Sequence, residues 1–387
     1  GTTISAGIVQ IGHSSALGTG PVTMGDNTTL KVGNTSTRIS NPIILDGDTA
    51  IIDTATIQCW MDKTISQAGT SLSKLIIKGG GTLNMNKVVS HEGGTEIQEG
   101  TTVVATIANI FGGSNKSLSL SGVLSTFDMS LRSQVVGDLS GTPSTIIDIA
   151  SKTLTLGTAN DSNFRGRIQG FNGQVIKQGS GTFYVSGYNT YSGGTTISEG
   201  SILVGHSSAL GTGDVTLAGS TTLKWGTAAI LTNPFAFNGT ATLNPAGFSA
   251  SLTGVLSGAG GINIVDNLSL GTIGDIANTY SGGTSISANK TVTVNKSRAL
   301  GMGSVSMNDG TTLKWGSGAD FDNNFTIAGT VTANTQGFDS TLSGIISGIG
   351  KFIIAGAGKI ISTAQNTFEG ILNIQKDTTF SFEGLLP

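Results

Sequence analysis

Short runs of alternating apolar and polar residues recur along the whole chain. Segments 73–78, 101–106 and 351–355 are typical of strands flanked by Gly-containing turns. No stretch combines a 3.6-residue apolar period with helix caps. Large apolar residues two positions apart, which should face the same side of a strand, occur at equivalent places in the chain: Ile43 and Leu45, Phe235 and Phe237, Phe325 and Ile327. The pattern predicts an all-β protein.

One block of sequence occurs three times. Its copies begin at Gly1, Gly194 and Gly283, and the second lies 193 positions after the first. The third copy is offset from the second by 89 positions at its start and by 90 at its end. A repeat of this length indicates a stacked array, because each unit must bury its apolar face against its neighbours.

The architecture that fits best is a parallel β-helix, in which like positions of successive coils form apolar ladders inside. About 20 to 25 residues per coil would give about 16 to 19 coils, and strands about 4.8 Å apart would make one rod about 75 to 90 Å long. Each repeat would then span roughly four coils. A propeller lacks its blade period, and an array of β-sandwiches fits the period but not the glycine content.

The domain prediction is a single β-helix over residues 1–387. Internal repeats lie near 1–90, 177–277 and 278–387, and residues 101–170 form a divergent stretch that could bear loops. The chain opens in mid-repeat without a signal peptide, so we expect it to be a piece of something longer.

Composition narrows the functional classes. Glycine accounts for 59 of 387 residues and charged residues for 11%, so the surface should be polar but weakly charged. A hydrophobic fraction of 37% with regular spacing argues against disorder. A net charge of −3 disfavours nucleic acid as a partner, and no segment approaches 18 consecutive apolar residues, so no membrane span is expected.

The single cysteine, Cys59, rules out an internal disulfide. This usage fits a bacterial protein that crosses an envelope unfolded, where an early disulfide loop would hinder passage. We expect Cys59 to be buried as a small apolar residue.

A second repeated element precedes the main block. Residues 177–200 read KQGSGTFYVSGYNTYSGGTTISEG, with weaker relatives at 78–97, 278–284 and 355–370. Together with Ala209-Leu210-Gly211-Thr212-Gly213, this text resembles the passenger-associated transport repeat of Gram-negative autotransporters (type V secretion). The resemblance is specific around 177–226, good at 1–33 and 278–316, and weakest at 101–170.

The resemblance implies a right-handed parallel β-helix exported through a C-terminal outer-membrane β-barrel of the same precursor, a barrel absent from this sequence. It also implies a protein that is secreted or held on the bacterial cell surface, with a host-cell protein or glycan as partner. The repeat itself is thought to assist secretion and folding. A vacuolating-toxin-like passenger is an alternative that the repeat does not select.

Candidate chemistry is sparse. His13 and His206 occupy the same place in two repeats, which favours a surface turn over catalysis. His91 lies beside Glu92 and could act as an acid or base, but no nucleophile motif accompanies it. Three histidines and one cysteine, far apart, give no zinc spacing, and the calcium-binding nonapeptide is missing.

Three acidic positions are evenly spaced in the divergent stretch, with an arginine nearby: Asp128, Asp138, Asp148 and Arg132. A carbohydrate-active β-helix enzyme would need carboxylates on one face of adjacent coils, although solvated turns would look the same. Asp46-Gly47-Asp48 is read as a turn. Gly79-Gly80-Gly81 lacks the following helix that a phosphate loop needs.

Trp225 and Trp315 occupy equivalent positions, where the first copy has Val32. An exposed aromatic could stack on a sugar, but an alternating strand favours a core position. The stretch from Gly112 to Phe171, with Arg165-Gly166-Arg167, breaks the repeat and is our first expectation for a protruding loop or binding surface.

These observations predict a passenger that acts by recognising host cells, through adhesion or receptor engagement, without catalysis. No catalytic, cofactor-binding or metal residue and no cofactor is predicted, and the binding residues stay open. The alternatives are the carbohydrate-active enzyme and the toxin.

Overall fold

Alternate residues of short strands point into and out of the core in the computed structural model, which describes residues 1–70, 72–271 and 276–383. Most strands have only three to five residues, because Gly-rich or Asn-rich turns interrupt them on either side. Their inward positions carry aliphatic or aromatic side chains and their outward positions carry mostly Ser, Thr, Asn or Lys.

The described residues contain 44 strands. The first 24 are β1 Thr2–Ile4, β2 Ile8–Ile11, β3 Val22–Gly25, β4 Thr28–Val32, β5 Arg38–Ile39, β6 Ile43–Asp46, β7 Thr49–Asp53, β8 Gln58–Met61, β9 Ile65–Gln67, β10 Lys74–Lys78, β11 Thr82–Met85, β12 Thr95–Ile97, β13 Thr102–Ala105, β14 Leu118–Leu120, β15 Thr126–Asp128, β16 Gln134–Val135, β17 Leu139–Gly141, β18 Ile146–Asp148, β19 Thr153–Leu156, β20 Ser162–Phe164, β21 Arg167–Gln169, β22 Gln174–Lys177, β23 Thr182–Val185 and β24 Thr195–Ile197.

The remaining strands are β25 Ser201–Val204, β26 Val215–Leu217, β27 Thr222–Trp225, β28 Ala229–Leu231, β29 Phe235–Phe237, β30 Ala241–Asn244, β31 Ala250–Leu252, β32 Leu256–Ser257, β33 Ile262–Ile264, β34 Leu268–Leu270, β35 Thr284–Ile286, β36 Thr291–Val294, β37 Val305–Met307, β38 Thr312–Trp315, β39 Phe325–Asn334, β40 Ser340–Leu342, β41 Ile346–Ala355, β42 Lys359–Ser362, β43 Ile371–Ile374 and β44 Thr379–Phe382.

The predicted all-β, parallel solenoid is confirmed. The described strands form a parallel β-solenoid of about 18 turns, within the predicted range, and no α-helix occurs in the described residues. Accordingly, the described part of the chain offers no helix that is long and apolar enough to cross a membrane. The chain divides into two compact units, Gly1–Thr195 with Ser208–Gly213 and Thr196–Ser207 with residues 214–383.

Successive coils pair in parallel register, and the interval between paired residues varies along the chain. Thr2 lies beside Val22 and Thr49 lies beside Lys74, and both intervals agree with the predicted coil length. The interval between Ser251 and its neighbour Ser269 is shorter than either. The interval varies because the turns differ in length while the strands keep their register.

The core consists of ladders of like residues. In the first unit Val22, Ile43 and Ile65 stack in register, and all three are fully buried. In the second unit the ladder from Leu223 to Ile327 has six members, each at most 2% exposed: Leu223, Leu243, Ile264, Ile286, Met307 and Ile327. Each buried aliphatic side chain contributes about 1.5–3 kcal/mol by leaving water, so the ladders are the main source of stability.

The sequence repeat and the coil do not have the same length. Four register steps back from Ile286 lead through Ile264, Leu243 and Leu223 to Ile202. The residue that corresponds to Ile286 in the preceding repeat is Ile197, which belongs to β24 rather than to β25. A repeat is therefore four coils and one further strand, and its equivalent residues lie on neighbouring faces of the coil. We call this offset the repeat phase.

The divergent stretch 101–170 continues the solenoid. It contains β13 to β21, and Val103, Phe127, Ile147 and Ile168 form a buried ladder across it. Its longest connection, residues 106–117, packs its own apolar side chains into the core. The repeated sequence is lost in this stretch, but the inward apolar positions are kept. A coil requires only those inward apolar positions.

Candidate binding surfaces

The asparagine of the Asn-Thr-Tyr-Ser-Gly-Gly element ties three successive coils together. Asn189 is buried; its Oδ1 accepts a hydrogen bond from the Ile168 N–H at 2.8 Å and its Nδ2 donates to the Ala209 carbonyl at 2.6 Å. Asn278 does the same in the next repeat, with the Leu256 N–H at 3.0 Å and the Ala299 carbonyl at 2.7 Å. We call this arrangement the asparagine bridge. It satisfies backbone groups that lie in water-free corners.

The tyrosine of the same element packs under the next coil. The Tyr191 hydroxyl lies 2.7 Å from Thr195 Oγ1, and the Thr195 hydroxyl donates to the Leu210 carbonyl at 2.9 Å. A Cβ on Gly211 would lie 2.7 Å from the tyrosine ring, so the glycine of Ala-Leu-Gly makes room for that ring. Burial raises the pKa of Tyr191, although its hydrogen bond with Thr195 acts in the opposite direction. The repeated text is therefore interior structure.

His91 occupies the tyrosine position of the weaker element at 78–97. Its side chain is 2% exposed, and Nε2 lies 2.9 Å from the Gly94 carbonyl oxygen and 3.3 Å from Thr95 Oγ1. Burial lowers the pKa of His91, aided by the charge of Lys116 and opposed by the Gly94 hydrogen bond and by Glu92. This imidazole is placed to support the coil, since an acid or base for a dissolved substrate needs to be reached from solvent.

The lowered pKa of His91 predicts a stability that depends on pH. Above the unfolded pKa near 6.5 the imidazole is neutral in both states. As the pH falls below that value, the unfolded chain takes up a proton that the folded chain resists, so the free energy of unfolding decreases until the folded pKa is passed. Urea unfolding between pH 7.5 and 5 should show this decrease. His91→Gln keeps an N–H donor and should make the free energy of unfolding less dependent on pH. An equal pH dependence in the variant and the unchanged protein would contradict the role given to His91.

The other histidines and the aspartate turn lie where the sequence places them. His13 is exposed in the turn after β2, where its Nδ1 accepts the Ser15 N–H at 3.1 Å, and His206 is half-buried in the equivalent turn after β25. Asp46 ends β6, and Asp48 lies in the bend before β7.

The evenly spaced carboxylates do not converge. Asp128 and Asp148 are neighbours in register on β15 and β18, whereas Asp138 precedes β17 in a different sheet. Asp128 accepts the Ser130 N–H at 2.9 Å and Asp148 accepts the Ala150 N–H at 3.0 Å, so each fixes the turn that follows it. Arg132 donates to the carbonyl of Leu131.

The tryptophans and the cysteine are interior residues. Trp225 and Trp315 are at most 1% exposed, and each indole N–H donates at 3.3 Å to a carbonyl four residues on, that of Ala229 or Ala319. Cys59 is fully buried, and burial raises the pKa of its thiol to about 12, which leaves it protonated and unreactive.

Among the concave surfaces of the described residues, two are bordered by an exposed phenylalanine ring. The first, in the first unit, is a shallow cavity of about 380 Å³ beside Arg167 and Phe171, at the end of the divergent stretch. The Phe171 ring is 80% exposed, and Arg167 Nη2 donates to Thr190 Oγ1 at 3.2 Å. This cavity includes part of the surface expected from Arg165-Gly166-Arg167.

The second surface, in the second unit, is a groove of about 550 Å³ that we call the β28–β38 groove. Its floor is made of outward residues that lie in register on five strands: Ile230, Ser251, Ser269, Thr293 and Lys314. Phe248, 42% exposed, stands on the turn between β30 and β31 beside the floor. Asp266, Asn267 and Thr291 complete this side.

The wall of the β28–β38 groove is firmly held. The Phe248 N–H donates to the Pro245 carbonyl at 3.0 Å, and the Gly247 N–H donates to the Asp266 carboxylate at 2.5 Å. Burial alone would raise the pKa of Asp266, but hydrogen bonds from the N–H groups of Asn267 and Gly247 and from Lys290 hold it below its usual value. The phenyl ring is thus carried by a rigid turn.

Sequence reasoning missed this groove. Its floor residues are far apart in the sequence and look like ordinary outward strand residues. A signal was present for Phe248, because the following repeat also has a phenylalanine at the equivalent turn, Phe338.

Comparison with known proteins places a known repeat family over the elements that contain His91, Tyr191 and Tyr280. The model of the passenger-associated transport repeat matches residues 75–104, 175–204 and 272–288. Three segments of the chain therefore carry the passenger-associated transport repeat, which supports its assignment as an autotransporter passenger. The described part of each match carries the residues that pack between coils, His91 and Thr95 in the first, Tyr191 and Thr195 in the second, and Tyr280 and Thr284 in the third.

A curated relative of the passenger is the adhesin BmaC autotransporter of Brucella suis biovar 1 (strain 1330). The two are 27% identical over 342 residues, a match that covers 78% of this chain. The chain spans about 9% of the length of that relative. No solved structure matches the passenger.

Proposed function

We propose that this passenger recognises the surface of a host cell and acts by adhesion or receptor engagement, without catalysis. The observation that carries the proposal is the similarity to an autotransporter adhesin along 78% of the chain. In this proposal the passenger is secreted or held outside the outer membrane of a Gram-negative bacterium. The translocating partner is the C-terminal β-barrel of the same precursor, and the external partner is a host protein or glycan.

The geometry supports recognition over chemistry. Within the described residues, the groups that could do chemistry are either interior, as His91 and Cys59 are, or fix turns, as Asp128 and Asp148 do. The described chain also contains no group of three or more His, Cys, Asp or Glu side chains that could hold a metal ion. The coils offer to solvent a stable polar surface, and its cavities include one bordered by Phe171 and one bordered by Phe248.

Binding to cells tests the proposal. Labelled passenger should bind cultured epithelial cells saturably, and an excess of unlabelled passenger should displace it. Heat-unfolded passenger serves as the control, because a surface assembled from successive coils is lost on unfolding. Uptake that rises linearly with concentration and resists competition would refute host recognition by this segment.

A further inference from the structure

We infer that the β28–β38 groove binds an oligosaccharide that carries one acidic sugar. The inference rests on the proposed function and gives it a ligand class. The floor runs across five strands, and with strands about 4.8 Å apart it is about 19 Å long. A groove of about 550 Å³ is within the range of small-ligand sites.

The floor presents hydroxyl groups. Between Ile230 at one end and Lys314 at the other, the three outward residues are Ser251, Ser269 and Thr293. Ser269 Oγ accepts a hydrogen bond from Asn295 Nδ2 at 2.8 Å. In the described part of the chain the hydroxyls of Ser251 and Thr293 have no side-chain partner, so each can both donate to and accept from a ligand. A polyhydroxylated ligand matches such a strip.

The Phe248 ring supplies the apolar contact that a sugar face needs. It projects from a turn in which Ala246 and Gly247 both have positive φ values, 54° and 85°. The turn is fixed by the Asp266 carboxylate, which accepts from the Gly247 N–H and from Lys290 Nζ at 3.1 Å. A ring that is already ordered loses little entropy on binding.

Charge selects an acidic ligand. Among the described residues that line the groove, Lys314 is the only basic side chain. The single carboxylate of the lining, Asp266, already accepts three hydrogen bonds, one of them from Lys290. A carboxylate on the sugar nearest Lys314 would meet an ammonium group without an opposing charge beside it.

The groove does not suit a peptide. An extended peptide binds by adding a strand to an exposed sheet edge, but β31, β34 and β36 are hydrogen-bonded on both sides. A helix would need a continuous apolar groove, whereas hydroxyl residues separate Ile230 from Lys314 along the floor. Recognition must therefore come from side chains on the face of the sheet.

The repeats supply matched controls. Phe338 is on the equivalent turn of the next repeat and is 39% exposed, close to the 42% of Phe248, but it does not line the groove. Lys224 is the repeat equivalent of Lys314 and also lies outside the groove. Phe248→Ala and Phe338→Ala remove the same ring, and Lys314→Ala and Lys224→Ala remove the same charge.

Titration calorimetry with 3′-sialyllactose, 6′-sialyllactose and lactose tests the inference on the whole chain. We expect saturable binding of at least one acidic probe and weaker binding of lactose. Phe248→Ala should weaken the affinity for the acidic probe about five- to thirtyfold, whereas Phe338→Ala should change this affinity less than about twofold. Lys314→Ala should reduce binding of the acidic probe to the level of lactose, and Lys224→Ala should not. These residues are at least partly exposed, so circular dichroism should show folded variants.

Three results would overturn the inference: no saturable binding of either acidic probe up to about 10 mM, equal effects of the two phenylalanine variants, or equal affinity for lactose and the acidic probes. Cell binding separates this failure from that of the proposed function. A passenger that binds cells but is not competed by the acidic probes keeps its adhesive function and loses this groove as the site. A passenger that binds the probe but not cells keeps the groove and loses adhesion.

Discussion

Replacing Asn189 by alanine should lower the free energy of unfolding by about 2–5 kcal/mol. The substitution removes an acceptor from the Ile168 N–H and a donor from the Ala209 carbonyl, both in a corner from which water is excluded. Each buried group left without a partner costs about 1–3 kcal/mol. Because the asparagine bridge spans three coils, the loss should affect its neighbours as well.

Urea unfolding followed by circular dichroism measures this loss. Asn163→Ala is the control, since Asn163 is exposed on β20 and its replacement should change stability by less than about 0.5 kcal/mol. Asn278→Ala should reproduce the effect, because Asn278 makes the same bridge in the next repeat. A loss for Asn189→Ala no larger than that for Asn163→Ala would show that the bridge does not stabilise the solenoid.

Replacing Gly211 by alanine should destabilise the passenger by about 2–5 kcal/mol. Its φ of 69° is strained for any residue with a Cβ, which costs about 1–2 kcal/mol. The new methyl group would also lie 2.5 Å from the Tyr191 carbonyl oxygen and 2.7 Å from its ring, and overpacking of this kind costs about 1–3 kcal/mol more.

Gly18 separates these two contributions. It stands at the same place in the first copy, Ala16-Leu17-Gly18, with a φ of 68°, but a Cβ there would meet no atom within 4 Å. Gly18→Ala should therefore show only the backbone strain. Thermal unfolding of the two variants gives the difference, and a loss for Gly18→Ala as large as that for Gly211→Ala would mean that the tyrosine contact contributes nothing.

The sequence predicts the fold well because short-range patterns within each strand specify a solenoid. Alternation at Ile43 and Leu45 or at Phe235 and Phe237 specifies which side chains enter the core, and parallel stacking follows when the pattern recurs. The buried tryptophans follow from the same alternation. The divergent stretch keeps its coils although it loses the repeated text, because a coil needs only inward apolar residues such as Phe127 and Ile147.

The candidate site could not be predicted in the same way. A groove on a solenoid is assembled from single residues of different coils, and the interval between coils changes with the length of the turns. Which serine lies beside which threonine therefore depends on every turn in between. The position of Lys314 next to Thr293, for example, follows from the register of β36 and β38 and not from any motif.

The repeat phase has a consequence for how such a passenger could change its length. Loss or gain of one repeat would shift the chain by four coils and one strand, so every later side chain would move to a neighbouring face of the coil. Phe248 and Phe338 already illustrate this rotation, since one follows β30 and the other follows β39, on different corners of the coil. Duplication of a repeat would thus redirect surfaces as well as extend the protein.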